Sequence, residues 1–169
     1  HNRTNFDLSK HEEYSGKSLK FFDEEAKEKY LPFIIESSAG ASRSFMAFLL
    51  DAYYEEEVKG EKRSVLKFHP KLAPIKAAIL PLVNKDGMPE IAREIEKDLR
   101  RNFKVFYDDK GAVGRRYRRQ DEIGTPYSIT VDTQTLEDKT VTVRDRDSME
   151  QVRVSTDQLS AYLAKKLMD

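Results

Sequence analysis

Between Ile75 and Val83 the chain carries one charged residue, Lys76, and otherwise only apolar side chains. A run this short cannot cross a bilayer, and it lacks the alternation of a strand with one wet face, so it reads as an interior strand covered on both sides. Asn84, Lys85, Asp86 and Gly87 turn it, and Pro89 suits the first turn of a helix whose Ile91, Ile95 and Leu99 recur every four residues. Phe103, Val105, Phe106 and Tyr107 then resemble a second strand. Strand, turn, helix and strand in this order require a parallel pair with a crossover, which places the chain in the α/β class.

The rest of this block completes a sheet. Residues 111–122 read as a short helix with Val113 and Tyr117 inward and four arginines outward. Residues 126–132 and 139–144 alternate with period two, with 134–138 as the turn of a hairpin, and 151–154 add a further strand. Ser155 and Gln158 form a capping box for a last helix striped by Leu159, Tyr162, Leu163 and Leu167. The expected architecture is a mixed β-sheet flanked by helices. Upstream, residues 1–29 are polar and depend on packing against something else. Residues 31–35 read as a short buried strand, 37–42 as a turn of small residues, and 45–53 as a helix with a broad apolar face that the acidic cluster Glu55, Glu56 and Glu57 ends. Lys59 to Arg63 is the best linker, so two domains are expected, residues 1–62 and 63–169.

Charge narrows the function. The 169 residues hold 30 basic and 30 acidic side chains, yet residues 1–60 carry 8 and 12, residues 61–119 carry 16 and 8, and residues 120–169 carry 6 and 10. A central basic block between acidic ends presents a positive surface to a polyanion while the molecule stays neutral; the other reading is a solvated helix face paired with nearby carboxylates. The absence of Cys removes thiol catalysis, zinc ribbons and disulfide scaffolds. No apolar stretch approaches the roughly 20 residues of a membrane span, and no signal-peptide pattern opens the chain. A cytoplasmic protein is expected, with no membrane partner. His11 and His69 stand too far from other ligand types to suggest a metal site.

Two segments have the composition of binding sites. In the first, Glu36-Ser37-Ser38-Ala39-Gly40-Ala41-Ser42-Arg43, small side chains let a ligand approach the backbone at a strand-to-helix turn. The new helix offers unpaired N–H groups to an anion and Arg43 adds a fork suited to phosphate. Glu36 could bind an ammonium group or a metal carried by a nucleotide. The alternative is a compact turn with Arg43 paired to a neighbouring carboxylate. In the second, Arg115, Arg116, Arg118 and Arg119 surround Tyr117, combining phosphate contacts with a stacking surface, as single-stranded RNA requires. Asp121 and Glu122 could instead occupy two of the four in internal ion pairs. Phe106, Tyr107 and Tyr127 are further stacking candidates, with core packing as the competing role.

With both segments in view, the chain closely resembles the C-terminal part of the dimeric (α2) glycyl-tRNA synthetases, a class II aminoacyl-tRNA synthetase family. The resemblance is carried by Asn2-Arg3-Thr4-Asn5-Phe6-Asp7-Leu8, His11, residues 35–43, residues 68–76, residues 114–126 and residues 142–152. It implies that residues 36–43 are the third class II motif. Arg43 is then the catalytic arginine on ATP phosphate, Gly40, Ala41 and Ser42 the adjoining ATP contacts, and Glu36 and Ser38 contacts to substrate glycine. Ser38 stands where the class generally has glycine, which fits a hydroxyl bonding the amino acid. Ser37 stands where many family members have proline, and this leaves the geometry of the turn open.

By the same resemblance, residues 1–62 are a remnant of an antiparallel-sheet α+β catalytic domain and residues 63–169 the anticodon-binding domain, with Arg115, Arg116, Arg118 and Arg119 contacting tRNA. The parent is expected to be a homodimer that activates glycine with ATP and Mg²⁺ and transfers it to tRNA(Gly). The first two class II motifs are not in these residues, so a fragment inactive by itself is expected. The rival reading is a synthetase-like accessory module that binds tRNA or another nucleic acid without aminoacylation.

Overall fold

The computed structural model describes residues 1–58 and 60–168. It forms two compact units, residues 1–44 and 45–169. In the first, β1 (Asn2–Thr4) leads into α1 (Phe6–Ser15), β2 (Phe21–Asp23) and β3 (Glu28–Tyr30) make a hairpin, and β4 (Ile34–Ile35) pairs antiparallel with β1. Then α2 (Ala41–Ala52) begins; its residues from Phe45 onward belong to the second unit.

The second unit continues with β5 (Tyr53–Val58), β6 (Glu61–Leu66), β7 (Ala77–Pro81), α3 (Met88–Leu99), β8 (Val105–Tyr107) and α4 (Val113–Ile123). After these come β9 (Tyr127–Val131), α5 (Thr133–Asp138), β10 (Thr140–Asp145), β11 (Gln151–Ser155) and α6 (Leu159–Met168). Five strands form one sheet in the order β11-β10-β9-β7-β8. In it β7 runs parallel to both β8 and β9, and β9, β10 and β11 are antiparallel. The mixed sheet expected from the sequence is therefore present. The run at 75–83 contains β7, every residue of which is buried.

Alternation along the central strands sorts the two faces. Ala77, Ile79, Ile129, Val131, Val141 and Val143 meet α3 and α6 through Ala92, Ile95, Leu99, Leu159 and Leu163 in one apolar core. The opposite face carries Ser128, Thr130, Thr142 and Arg144 and receives α4, whose Tyr117 hydroxyl lies 2.5 Å from Thr130 Oγ1.

Several local expectations are corrected. Residues 31–35 yield only the two-residue β4, with Phe33 and Ile35 exposed, because among the described residues nothing covers that face. The helix at 45–53 forms and ends before the acidic cluster as expected, but only its Ala52 is buried, and the cluster lies in β5. Of the expected linker, Lys59 lies outside the described residues, while residues 61–63 belong to β6, which pairs with β5 from Tyr53↔Leu66 to Val58↔Glu61. Positions 62 and 63 lie within β6, and the compact units meet at 44/45, within α2.

The turn expected at 134–138 is α5, opened by a reciprocal cap in which Thr135 N donates to Asp132 Oδ1 and Asp132 N to Thr135 Oγ1. The capping box at Ser155 does not form. Ser155 belongs to β11, and its hydroxyl bonds the Asp157 carboxylate.

Gly124 closes α4 in the left-handed region, at φ 81°, and a Cβ there would stand 2.6 Å from Phe68 Cδ2 and 3.0 Å from the Leu66 carbonyl oxygen. Strain and overlap add at this position, so Gly124→Ala is expected to lower the unfolding free energy by about 2–4 kcal/mol. Denaturant unfolding of the two forms checks this.

Candidate nucleic-acid interface and nucleotide turn

The four arginines of α4 are not equivalent. A residue turns about 100° around a helix from its neighbour, so Arg115 and Arg118 share one face and Arg116 and Arg119 another. Arg116 is buried: Nη1 donates to the carbonyls of Pro81 (2.5 Å) and Asp108 (3.1 Å), and Nη2 to that of Leu82 (3.1 Å). Burial pulls its guanidinium below the ordinary arginine pKa, and its Nε has no protein partner. Arg116 fastens the end of β7 to α4, and its expected place among the outward arginines is corrected.

The inward stripe explains the correction. Val113, Arg116, Tyr117 and Gln120 stand at i, i+3, i+4 and i+7, so a helix with Val113 and Tyr117 facing in also turns Arg116 in. Arg119 is half engaged: its Nε and Nη2 meet Asp108 Oδ2 at 3.1 and 2.6 Å, and Nη2 also donates to the Lys110 carbonyl. Burial opposes ionisation of Asp108, but the Lys110 N–H and the Arg119 guanidinium outweigh it and hold the carboxyl below its usual value.

Arg115 is exposed and has no ion pair among the described residues. Arg118 lies only loosely, at 3.8 Å, from exposed Glu61. Between them and the open face of β10 and β11 lies a depression of about 680 Å³ lined by Arg115, Tyr117, Arg118, Arg144, Met149 and Gln151, among others. Its floor is fixed. The Arg144 guanidinium lies 5.0 Å from the Tyr117 ring centroid and forks onto Asp121 at 2.9 and 3.2 Å. The other edge of Asp121 accepts from Arg63 Nε at 2.9 Å.

Arg63 is completed by Glu56 and by the Arg146 carbonyl at 2.5 Å. Its own burial works against its charge, and Asp121 and Glu56 more than compensate, leaving its pKa raised. Arg146 in turn donates to the carbonyls of Gly124 and Phe68. The result is two accessible cations and a ring beside a hydrogen-bonded floor, an arrangement suited to phosphate and a stacked base.

The sequence offered Asp121 as a partner for the α4 arginines, whereas it pairs with Arg63 and Arg144, and Arg144 carried no individual expectation. Period-two alternation from Thr140 through Thr142 to Arg144 is the signal that places Arg144 on the α4 face. Of the other stacking candidates, Tyr127 is buried and burial pushes its phenol up to about 12, Tyr107 lies under Arg93 at 3.4 Å, and Phe106 is partly exposed.

The second site belongs to the first unit. His1 and Glu36 exchange backbone hydrogen bonds of 2.8 and 2.9 Å, extending the β1–β4 pair to the start of the turn. Glu36, Ser38, Gly40, Ala41, Ser42 and Arg43 are all exposed. Gly40 accepts the first bond of α2 from Ser44 N at 2.9 Å. The Arg43 side chain has no hydrogen-bond or ion-pair partner among the described residues, so the alternative of a neutralised Arg43 is not what forms. Glu36 has one ionic neighbour, Arg3, whose Nε lies 3.8 Å from Oε2 and which the sequence reading left without a role. Among the described residues no group of three or more carboxylates and histidines could hold a metal ion.

These features match known proteins. The anticodon binding domain family matches residues 76–166, more than half of the chain, and the chain belongs to that family. Its similarity extends well beyond that domain to particular enzymes. It is 54% identical to the glycine–tRNA ligase of Treponema denticola over 173 residues, which is 99% of this chain and 38% of that protein. It is equally 54% identical to that of Corynebacterium glutamicum over 172 residues, 99% of this chain and 37% of that protein. The chain thus spans well under half the length of the curated relatives it matches. Among solved structures, the RNA binding domain of threonyl-tRNA synthetase from Cryptosporidium parvum Iowa II superposes with a TM-score of 0.54 at 26% identity, over 59% of this chain and 25% of that one. Among the described residues no helix is long and apolar enough to cross a membrane.

The sorting of arginines has a direct consequence. Arg116→Ala removes the guanidinium from two buried carbonyls, those of Pro81 and Asp108, and from the partly buried Leu82 carbonyl, and is expected to cost about 3 kcal/mol. The double variant Arg115→Ala, Arg118→Ala is expected to stay within about 0.5 kcal/mol of the parent. Chemical denaturation of both variants distinguishes the interior arginine from the surface pair.

Proposed function

We propose that the chain is the C-terminal part of a glycine–tRNA ligase, which joins glycine to tRNA(Gly) with ATP. The observation that carries this reading is similarity at 54% identity over 99% of the chain, extending from the Glu36–Arg43 turn through the arginine helix to α6. In this reading the glycine carboxylate attacks the α-phosphate of ATP, forming glycyl-adenylate and releasing pyrophosphate. The glycyl group then passes to the tRNA 3′ end.

Little acid-base chemistry is needed; positioned charge serves instead. Arg43, unpaired at the start of α2, is the cation for the triphosphate, and the backbone at Gly40, Ala41 and Ser42 lets phosphate approach the first N–H groups of the helix. Glu36 accepts from the substrate ammonium, and the Ser38 hydroxyl is a further polar contact. A pocket closed beside Cα excludes larger amino acids by overlap. Mg²⁺ belongs to this reading as a companion of ATP; among the described residues of this chain no group of three or more carboxylates and histidines could hold it. A cytoplasmic homodimer completes the proposal for the whole protein.

The tRNA surface in this reading is the depression beside α4. A phosphate contact to single-stranded nucleic acid contributes a log–log salt slope of about −0.7. Filter binding of tRNA(Gly) across a salt series is therefore expected to show a slope shallower by about 1.4 when Arg115 and Arg118 are both changed to Ala. An unaltered slope in that variant assigns the RNA to another surface.

A further inference from the structure

On the sheet face opposite α4, residues of α3 and of the α5–α6 connection line a cavity of about 380 Å³, within the size range of small-ligand sites. Ile95, Leu99 and Leu159 form its floor, and all three are buried in the apolar core. Ile91 lies beside them, partly buried. The walls are tied together. The Lys139 carbonyl, just past α5, accepts from Thr156 N at 3.0 Å, and Asn102 Nδ2, past the end of α3, reaches Ser160 Oγ of α6 at 3.4 Å. The cavity therefore stands between elements that hydrogen bonds and core packing already fix.

Its mouth is acidic. Glu94 and Asp98 stand one turn apart on α3 and Asp157 lies on the α6 side, all three exposed, against one lysine, Lys139. With Glu90, the acids of α3 recur at i, i+4 and i+8, a spacing at which like charges repel and weaken a helix. The nearby arginines are engaged elsewhere. Arg93 lies over the Tyr107 ring at 3.4 Å and pairs with Glu96, and Arg100 pairs with Glu96 as well. Glu94 has no ion pair among the described residues, and Asp98 has only exposed Arg101, at 3.4 Å. The Asp157 carboxylate accepts from the neutral Ser155 hydroxyl, which leaves its charge unbalanced.

Apolar floor and anionic mouth together select the occupant. A hydrated metal ion would leave the floor unused, and among the described residues no group of three or more carboxylates and histidines could hold one. An anion would meet three carboxylates. A molecule with methylenes between two ammonium groups answers both features, since its chain covers the floor while each cation meets a carboxylate wall. We propose that this cavity binds an aliphatic diamine, one ammonium at Glu94 and Asp98 and the other at Asp157. The site is independent of the ligase reading, and the sheet separates it from the α4 surface.

The test is methyl NMR of the RNA-free chain titrated with pentane-1,5-diamine at low salt. Saturable shifts are expected at Ile91, Ile95, Leu99 and Leu159, with Kd on the order of 1 mM, the scale of two solvent-accessible ion pairs and a short apolar contact. Pentylamine, with one ammonium, is expected to bind about threefold more weakly, and Glu94→Gln or Asp157→Asn to weaken the diamine by about the same factor. Glu90→Gln, on the same helix but outside the lining, is expected to leave Kd within about 1.5-fold of the parent.

Absence of saturable shifts at these methyls overturns the proposal. So does pentylamine binding as tightly as the diamine, which assigns the mouth to a single ammonium such as a lysine of a partner protein. Equal weakening by Glu90→Gln and Glu94→Gln also overturns it, because the attraction then belongs to the general surface charge. Glu90, Glu94 and Asp157 are exposed and the substitutions nearly isosteric, so the variants are expected to fold, which their amide spectra check.

Discussion

A single buried carboxylate, Asp121, ties three elements together. It accepts Arg63 from β6 and a fork from Arg144 of β10, while its own backbone lies in α4. Two guanidinium groups out of water carry a desolvation cost of several kcal/mol each, which only close, hydrogen-bonded partners offset. Here every edge is answered: Arg63 also meets Glu56 and the Arg146 carbonyl, and Arg146 reaches back to Gly124 and Phe68. The β5–β6 hairpin is thereby joined to α4 and β10 by ions, beside the buried Val65 of β6. Few alternative placements satisfy so many directional bonds, so the network specifies geometry more than it adds stability.

That geometry decides what the positive block of the sequence can do. Sixteen basic residues lie between positions 61 and 119, but Arg63 and Arg116 are spent on the interior and Arg119 is half engaged with Asp108. The cations beside the Tyr117 groove are therefore a selected pair, Arg115 and Arg118, with Arg144 held stiffly beneath. A polyanion meeting this surface finds accessible charge above a hydrogen-bonded floor. Phosphate contacts position a nucleic acid and carry no sequence information, which base contacts supply.

The sheet was legible because its determinants are local. The apolar run at 75–83, the Pro89 helix start and the Leu159–Leu167 stripe each state a period and a face, and the mixed topology follows. Less was legible where tertiary context overrides pattern. Glu55, Glu56 and Glu57 have poor strand propensity, yet they pair with β6 because Arg63 and Lys67 neutralise Glu56 from the partner side. Four arginines in five positions suggest a solvated face, and only the helical period from Val113 shows that one of them is interior. Ser155 and Gln158 satisfy the spacing of a cap, but the antiparallel pairing of β11 with β10, at Thr140↔Ser155, claims Ser155 for the strand. At the two segments residue types nominated a chemistry; which side chains are free depended on partners far away in sequence, such as Arg3 for Glu36 and Pro81 for Arg116.

The central claim, that Asp121 holds the hairpin and the groove floor in place, is tested most directly by native-state amide hydrogen exchange on Asp121→Asn. Loss of one charge from this network is expected to cost about 3–5 kcal/mol, with protection falling most in β5 and β6 and least in β7 and β9, whose bonds lie in the apolar core. Protection of the hairpin equal to that of the parent protein contradicts the account.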